Sequence, residues 1–242
     1  MEKLLYGWRA KMSSPNVSTK GRLPLPARRE FIYAPPSDSL NFLHIDDDII
    51  VVDKPAGLLS VPGRELPDCL QTRLLELHPD SLLVHRLDLA TSGIMVFARN
   101  KAAQRHLGLQ FERRHTSKSY IARVNGSVAG DTGRINLPLI ADWPNRPRQM
   151  VSWEHGKPSV TDWEVIDREA NVTRLALHPV TGRSHQLRVH SWAMGHPILG
   201  DRIYAMDDVF TASPRLQLHA WKLGLRHPQG GEPMTFESVC PF

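Results

Sequence analysis

The half of the chain that follows Ser117 consists of short apolar stretches separated by turn residues, and this pattern constrains the fold most. Each stretch alternates apolar and polar residues or is rich in β-branched and aromatic residues, which is typical of strands. Only one helical pattern interrupts the series, so the strands lack regular crossover helices and favour antiparallel pairing. The sequence therefore predicts an α+β fold with a mixed, mostly antiparallel central sheet flanked by helices and loops. The stretches read KSYIARV, RINLPLI, QMVSWEH, TDWEVID, VTRLALH and LQLHAWKLGLRH.

Three segments have the periodicity of amphipathic helices, in which apolar residues recur every three or four positions. Start and stop residues accompany each pattern. Ahead of the first helix, FLHIDDDIIVVDKP predicts two short strands around an acidic turn. The helices are DCLQTRLLELHP, with Leu70, Leu74 and Leu77 on one face and a stop at Pro79; NKAAQRHLGLQFERR, with Asn100 as N-cap and Ala103, Leu107 and Phe111 four residues apart; and SHQLRVHSWAMG, capped by Ser184 and closed by Gly195.

The first 38 residues differ in composition from the rest of the chain. They contain five prolines and no sustained helical or strand period, which is typical of a mobile arm. Regular patterns begin at about Leu40. We therefore predict a flexible basic N-terminal arm over residues 1–38 and one folded domain over residues 39–242.

The positive charge of the chain is unevenly placed. Residues 1–30 contain seven basic and two acidic residues and so carry the whole net charge of +5, whereas residues 31–242 contain 23 of each. Within that balanced remainder, residues 99–123 contain seven Lys or Arg and one Glu. Either a solvated helix face or a nucleic-acid-binding surface accounts for such a segment.

Two features bear on the compartment in which the protein works. No run approaches the roughly 20 apolar residues of a membrane span, and the N-terminus lacks the apolar region of a secretory signal. The cysteines, Cys69 and Cys240, lie far apart in no CxxC motif, so neither a disulfide framework nor a zinc knuckle is indicated. The sequence predicts a cytoplasmic protein without a membrane partner.

Residues 85–93, HRLDLATSG, place charges between the apolar runs SLLV and IMVFA. Burying an unpaired ion costs several kcal/mol, so Asp88 needs a surface, a partner or a task. A second charged island, VTGRSHQLRVH, places Arg183 just before the third helix and Arg188 one turn further along. If the two connections meet, Arg183 holds Asp88 in a bidentate ion pair, and an oriented carboxylate is a competent nucleophile or base. The alternative is an ordinary exposed ion pair.

Several rare segments occur in an order that resembles the RluA family of pseudouridine synthases, over about residues 43–242. They are HRLD with TSG, KSYIARV, TGRSHQLRVH, GHPILGD and RLQLHA. GLLSVPGR and DWPNRPRQ resemble members that lack an additional S4 RNA-binding domain. The resemblance implies a pseudouridine synthase catalytic domain that isomerises uridine in structured RNA without cofactor or metal, breaking the N1 glycosidic bond and joining C5 to C1′.

The resemblance also implies a role for each residue of the site. Asp88 corresponds to the catalytic aspartate, which either attacks C1′ or removes a 2′ proton to give a glycal. The target base is flipped out of its helix, and Arg86, beside His85 on the RNA side, fills the gap that it leaves. Tyr120 stacks on the uracil and serves in proton transfer at C5. Arg183 pairs with Asp88, and Leu218 forms an apolar wall that helps exclude water.

The implied substrates are a loop of 23S rRNA, the anticodon stem-loop of tRNA, or both. The basic segment 99–123 runs from the Asp88 connection to Tyr120, so we expect its cations to bind phosphates around the pocket. The loop DWPNRPRQ, which carries Trp143, is expected to touch the RNA stem. The predicted contacts are Arg105, Arg113, Arg114 and Lys118 in the first segment and Arg146 and Arg148 in the second.

Two other functions compete with an isomerase. One is a noncatalytic RNA-binding or ribosome-assembly module of the same fold. The other is a metal-dependent nuclease, but the sequence lacks clustered carboxylates that would hold magnesium. His185 and His190 lie five residues apart, which does not match the four-residue pairing of zinc-binding helices. We therefore expect no metal site, and we expect a monomer.

Overall fold

The computed structural model describes residues 25–242, which form a large sheet of ten strands, a separate two-stranded hairpin and four α-helices. The strands are β1 (Asn41–Ile45), β2 (Ile49–Lys54), β3 (Leu82–Leu83), β4 (Ser92–Ala98), β5 (Ser117–Asn125), β6 (Thr132–Asn136), β7 (Leu139–Ala141), β8 (Gln149–Val151), β9 (Val160–Glu169), β10 (Val172–Pro179), β11 (Leu218–Arg226) and β12 (Pro233–Glu237). The helices are α1 (Leu70–Leu77), α2 (Lys101–Glu112), α3 (Gln186–Ala193) and α4 (Asp207–Thr211).

The large sheet follows the order β1-β2-β4-β11-β5-β10-β9-β6, with β3 added to β4 and β12 added to β11. Within the described sheet, β4 and β11 form the parallel pair and the other neighbours run antiparallel. The predicted α+β fold with a mixed, mostly antiparallel sheet is confirmed.

The parallel contact between β4 and β11 is confined to their first residues. Ser92 and Gly93 pair with His219 and Ala220. The two strands then diverge, since β3 pairs with the end of β4 and β12 with the rest of β11. Gly93 has φ +111°, and a Cβ there would lie 2.3 Å from the Ala220 carbonyl oxygen, so only glycine permits this approach. The approach brings the loop before β4 next to Leu218, the first residue of β11.

The apolar runs of β2 and β4 are buried on both faces of the sheet, which explains why they do not alternate with polar residues. On one face, Ile49 and Val96 pack against Ala103 and Leu107 of α2. On the other face, side chains of the same two strands pack against α1; this cluster includes Ile50, Val52, Met95, Phe97, Leu70 and Leu74. Strands β2 and β4 are therefore fixed between two helices.

Helices α1 and α2 form where the apolar periodicity predicts them. The Asn100 side chain accepts a hydrogen bond from the Ala103 backbone N–H, which confirms the N-cap of α2. The prediction for Leu77 is wrong: Leu70 and Leu74 are buried, but Leu77 is 59% exposed at the last turn of α1. The helix ends before its third apolar turn reaches the core.

The start of α3 differs from the prediction. Ser184 is exposed and is not the N-cap; the helix begins at Gln186, after His185 in a left-handed conformation with φ 54°. No side chain caps this helix; the Gln186 side chain accepts a hydrogen bond from the Arg183 backbone N–H and so fixes the turn that precedes it. The predicted end is confirmed, because Gly195 has φ +88° directly after the helix.

Two predicted strands are shorter or divided. RINLPLI contains both β6 and β7, because the chain leaves the edge strand β6, passes through Pro138, which has no N–H to donate, and enters the separate hairpin. In QMVSWEH only Gln149–Val151 is a strand. The sequence reading missed β12 and the short helix α4.

Residues 25–38 contain no helix or strand but lie against the folded domain. Arg29 donates hydrogen bonds to the carbonyl oxygens of Arg202 and Ala205, and the Tyr33 hydroxyl donates to the Asp68 carbonyl oxygen. The remainder of the predicted arm, residues 1–24, lies outside the described residues. From residue 25 onward, no helix combines the length and the apolarity needed to cross a membrane.

Candidate active site

Asp88 lies in the loop between β3 and β4, and this loop is held on both sides of the carboxylate. On one side, the Ser60 hydroxyl donates to the Leu87 carbonyl oxygen at 2.6 Å and accepts from the Leu87 N–H at 3.1 Å. On the other side, the Lys54 ammonium donates to the Leu89 carbonyl oxygen at 3.2 Å. A short side chain on a loop fixed in this way has little freedom to move.

Arg188 is the guanidinium that contacts Asp88. Its Nε and Nη2 each bind one carboxylate oxygen of Asp201 at 2.8 Å, and Asp201 is fully buried. The remaining Nη1 donates to Asp88 Oδ2 at 3.3 Å. Burial raises the pKa of Asp201, but the charge and hydrogen bonds of Arg188 outweigh it, so the net pKa is lowered. Asp201 therefore fixes the guanidinium, and the guanidinium positions Asp88.

The predicted pairing of Asp88 with Arg183 is wrong. Arg183 is exposed at the rim of the same cavity, in the turn before α3. The left-handed residue His185 turns the chain into the helix, so Arg188, in the first turn of α3, points inward instead. Gln186, Leu187, Val189 and His190 are also buried, which leaves Arg188 no route to solvent.

His185 approaches Asp88 from the other side. Its Nε2 lies 3.9 Å from Asp88 Oδ2, and its Nδ1 lies 2.8 Å from the hydroxyl of Tyr204. Burial and the neighbouring Arg188 lower the pKa of His185 to about 4. The imidazole is therefore neutral at physiological pH.

Asp88 lines a cavity of about 110 Å³. A cavity of roughly 150 Å³ accepts a benzene molecule, so this one is on the scale of a single six-membered ring. Tyr120 from β5 and Leu218 from β11 form its walls, and Arg86, Lys118 and Arg183 stand at its edge. All four predicted catalytic residues, Asp88, Tyr120, Arg183 and Leu218, therefore line one cavity, although Arg183 is exposed and does not pair with Asp88.

A second cavity of about 310 Å³ shares part of this wall. Arg86, Asp88 and His185 line both cavities. The outer walls of the second cavity come from the loop at Leu59–Val61 and from the β7–β8 hairpin with its connecting turn, including Arg146. Arg86, Asp88 and His185 therefore lie between the ring-sized cavity and the larger second cavity.

Burial also shifts the protonation of the groups around Asp88. Burial, with a smaller contribution from the Asp88 charge, raises the pKa of Tyr120, so its phenol stays protonated at neutral pH. Burial lowers the pKa of Lys54 to about 7, against the opposing effect of Asp88. No group of three or more His, Cys, Asp or Glu residues able to hold a metal ion occurs in residues 25–242.

Comparison with known proteins gives the family. A model of the RNA pseudouridylate synthase family matches residues 48–193, more than half of the chain. The dual-specificity RNA pseudouridine synthase RluA of Escherichia coli (strain K12) is 51% identical over 214 residues, which cover 87% of this chain and 98% of the relative. The protein of that name from Vibrio vulnificus (strain CMCP6) is 55% identical over 218 residues, 87% of each chain.

This chain belongs to the RluA family of RNA pseudouridine synthases. It is an isomerase that acts on RNA, as the resemblance in its motifs predicted. The solved structure of human RNA pseudouridylate synthase domain containing 1 is similar, with a TM-score of 0.73 and 29% identity over 86% of this chain and 87% of that chain. The predicted pseudouridine synthase fold is confirmed.

The predicted RNA-binding residues of this pseudouridine synthase differ in how free their side chains are. Arg86, Arg105, Arg113 and Arg114 are exposed, and Lys118 is half-buried at the edge of the ring-sized cavity. The guanidinium of Arg146 stacks on the exposed Trp143 ring, 3.9 Å from its centroid. These positions are compatible with phosphate contacts.

Two of the predicted RNA contacts have partners within the enzyme. Arg148 is half-buried and donates to the Pro26 carbonyl oxygen. The His85 ring stacks on Phe111 with 4.5 Å between centroids, and its Nε2 accepts the Val96 N–H. Both arrangements favour a structural role: Arg148 joins the hairpin to residue 26, and His85 joins the signature loop to β4 and α2.

The sequence reading missed four residues that support Asp88 in this enzyme: Lys54, Arg188, Asp201 and Tyr204. For Arg188 the sequence gives little signal, since α3 also contains the polar residues Gln186, His190 and Ser191 and its complete burial is visible only in the structure. The partner itself, Asp201, is 13 residues away across the turn GHPILGD, and no periodicity connects the two. Lys54 follows a buried strand and looks like an ordinary surface lysine in sequence.

Proposed function

We propose that this enzyme isomerises a uridine in a loop of 23S rRNA, in the anticodon stem-loop of tRNA, or in both, with Asp88 as the catalytic carboxylate. The observation that carries this proposal is the ring-sized cavity lined by Asp88, Tyr120 and Leu218. The names of the E. coli and V. vulnificus relatives, which describe dual-specificity enzymes, support the two substrate classes.

The reaction is a balanced rearrangement. The bond from N1 of uracil to C1′ breaks, a bond from C5 to C1′ forms, and the hydrogen on C5 is replaced by one on N1. No oxidant, reductant or cofactor enters this balance. Asp88 either forms an ester with C1′ or removes a 2′ proton to give a glycal, and its position in the lining of the cavity suits both routes.

The cavity walls suit a base that has left its helix. Tyr120 offers an aromatic face on which a flipped uracil stacks. Its raised pKa keeps the phenol protonated, which supports stacking and hydrogen bonding more directly than the removal of the C5 proton. Leu218 is 3% exposed and gives the pocket an apolar wall that keeps water from the detached uracil. The exposed Arg86 is free to take the place of the base in the RNA helix.

The RNA backbone follows the cations beside the cavities. Lys118 stands at the edge of the ring-sized pocket, and Arg114 lies close enough to contribute to the lowered pKa of Lys118, after burial. Arg146 lines the second cavity, which provides space for nucleotides that flank the target. Arg113 and Arg105 continue the positive surface along α2.

We further propose that the enzyme works as a monomer in the cytoplasm. Light scattering coupled to gel filtration is expected to give the mass of one chain, and a dimer would contradict the proposal.

Mapping of pseudouridine in total RNA tests the role of Asp88. The wild-type enzyme, Asp88→Asn and the matched control Asp47→Asn, whose carboxylate is exposed in the turn before β2, are each incubated with RNA that lacks the modification. Carbodiimide treatment and primer extension then locate pseudouridine. We expect wild type and Asp47→Asn to modify the same uridines and Asp88→Asn to modify none. Equal modification by Asp88→Asn would contradict the catalytic role, and binding without modification by wild type would indicate a noncatalytic RNA-binding module.

The salt dependence of RNA binding tests the cations. Removal of one cation that binds a phosphate should reduce the slope of log K against log salt concentration by about 0.7–0.9. We expect this reduction for Arg113→Gln, Arg114→Gln and Lys118→Gln. Lys101→Gln removes the same charge from the opposite end of the 12-residue helix α2 and should leave the slope unchanged. A slope equal to that of wild type in all four variants would show that Arg113, Arg114 and Lys118 do not bind phosphates.

A further inference from the structure

The hydrogen on His185 is fixed by its neighbours. The Tyr204 oxygen accepts the Gln149 backbone N–H at 2.8 Å, and His185 Nδ1 lies 2.8 Å from the same oxygen. Tyr204 is 1% exposed, so a phenol hydrogen without a partner would cost about 1–3 kcal/mol. Every group is satisfied only if Tyr204 donates to Nδ1, since two donors to the phenol oxygen would leave its own hydrogen unpaired. The hydrogen of the neutral imidazole is therefore on Nε2.

The Nε2–H of His185 and the carboxylate of Asp88 face the same space without bonding to each other. Their separation of 3.9 Å exceeds the 3.2 Å limit of an N–H···O hydrogen bond. If an atom lay about 2.8 Å from both His185 Nε2 and Asp88 Oδ2, the angle between the two contacts would be about 90°, which the bent geometry of a hydroxyl accommodates. His185 and Asp88 line both cavities, so a ligand reaches this point from either side.

Only a hydroxyl group or water completes this bridge, because the bridging atom must accept from Nε2–H and donate to Asp88 Oδ2. A uracil carbonyl or a phosphate oxygen accepts but has no hydrogen, and the uracil N3–H donates but does not accept. Inside an RNA chain the 3′ and 5′ oxygens are esterified, so the 2′-hydroxyl is the free hydroxyl of each nucleotide. It is attached to the carbon next to C1′, the atom at which Asp88 acts in the proposed function.

We propose that His185 and Asp88 form a binding site for the 2′-hydroxyl of the target ribose, in which His185 donates to the hydroxyl oxygen and the hydroxyl donates to Asp88. His185 is then a substrate-binding residue that favours RNA over DNA at the target position. Tyr204 is a positioning residue, because it holds the tautomer with hydrogen on Nε2. This inference rests on the proposed role of Asp88.

A cycle of protein and substrate changes tests the contact. The two substrates are a synthetic RNA hairpin carrying the mapped target uridine and the same hairpin with a single 2′-deoxyuridine at that position. Wild type and His185→Phe are compared on both by single-turnover rate and by dissociation constant, so that coupling is measurable even where deoxy turnover is undetectable. His155→Phe is the matched control, since that histidine is 69% exposed.

We expect His185→Phe to lower the ratio of the single-turnover rate to the dissociation constant about 10–100-fold on the all-ribose hairpin. This is the effect of losing one hydrogen bond and leaving a polar partner unsatisfied. On the deoxy hairpin the same substitution should have little further effect. His155→Phe should match wild type on both. If His185→Phe causes the same fold loss on the ribose and the deoxy hairpins, the inference is overturned and water is left as the bridging group.

Two further variants show whether a negative result comes from misfolding. A comparison with Asp88→Asn shows whether it comes from failure of the proposed function or of this inference alone. Tyr204→Phe leaves the imidazole in place but frees its tautomer, so we expect a smaller loss confined to the ribose substrate. His185→Asn suits the left-handed backbone at φ 54° and guards against misfolding of the Phe variant. If Asp88→Asn remains active, the proposed function fails; if activity depends on Asp88 but the cycle shows no coupling, only the 2′-hydroxyl site fails.

Discussion

The replacement of Arg188 by methionine tests the arrangement that distinguishes the structure from the sequence-based prediction. Arg188 is 5% exposed, and its loss leaves the fully buried Asp201 carboxylate without its guanidinium partner. Breaking a buried ion pair from one side costs about 3–5 kcal/mol. In a domain of this size each kcal/mol lowers the melting temperature by about 2–4 °C, so we expect a fall of about 6–20 °C. Urea unfolding followed by circular dichroism measures the same free energy.

The matched control is Arg183→Met, which changes the same type of side chain at the rim of the same cavity. Because Arg183 is exposed, we expect a change within about 0.5 kcal/mol. The two variants are best separated by stability, since both residues line the cavity and both substitutions are expected to reduce turnover. Equal unfolding free energies for the two variants would refute the pairing of Arg188 with Asp201 and Asp88.

The pH dependence of the Arg188→Met effect provides a second check. In wild type the pKa of Asp201 is held below its unfolded value, so its contribution to stability is present above about pH 4 and is lost below. Without Arg188, burial raises the pKa of Asp201 and is opposed by the hydrogen bonds from the Ile203 and Tyr204 backbone N–H groups, so we expect this pKa to rise above the unfolded value. Protonation then relieves the buried charge. We therefore expect the difference between wild type and Arg188→Met to be largest at pH 7–8 and to shrink towards pH 4; a difference that grows on acidification would contradict this account.

Two further predictions concern the framework. Gly93→Ala should destabilise the enzyme by about 3–5 kcal/mol in urea unfolding, because the new Cβ would meet the Ala220 backbone at a positive φ. Gly108→Ala is the control: it lies in the middle of α2 with open space around it and should stabilise the enzyme by about 0.5–1 kcal/mol. Burial raises the pKa of Asp46, but hydrogen bonds from His44 and two backbone N–H groups outweigh it and hold the pKa at about 2. Because this is below the unfolded value of about 3.9, Asp46→Asn should cost about 1–2 kcal/mol at pH 6 and almost nothing at pH 2, which acid-to-neutral urea titrations will check.

The second cavity shares Asp88 and His185 with the ring-sized cavity, and the residues that fix its walls come from distant parts of the chain. Tyr204 binds both His185 and the backbone of Gln149 in β8, so the hairpin and the helix α3 meet at one phenol oxygen. Tyr33, from the segment before β1, holds Leu59 at the opposite wall of that cavity.

Local sequence determined the elements and the signature loop. The periodicity at Ala103 and Leu107, the cap at Asn100 and the apolar runs on either side of Asp88 depend on neighbours within a few positions, so they were readable without the fold. The order of several rare motifs also identified the family and placed Tyr120 and Leu218 with Asp88, because such a combination occurs in few protein families.

Tertiary structure decided which groups act on the carboxylate. Arg183 and Arg188 are equally plausible partners in sequence, and the choice between them depends on the left-handed backbone at His185, which sets the phase of α3. The partners of Arg188 lie 100 residues before it and 13 after it, so their meeting is fixed by how the helix crosses the β3–β4 loop. The tautomer of His185 likewise depends on Tyr204 and on a backbone N–H of the hairpin. Hydrogen bonds and ion pairs require distances near 3 Å, and only the packing of the whole sheet fixes such distances between residues remote in sequence.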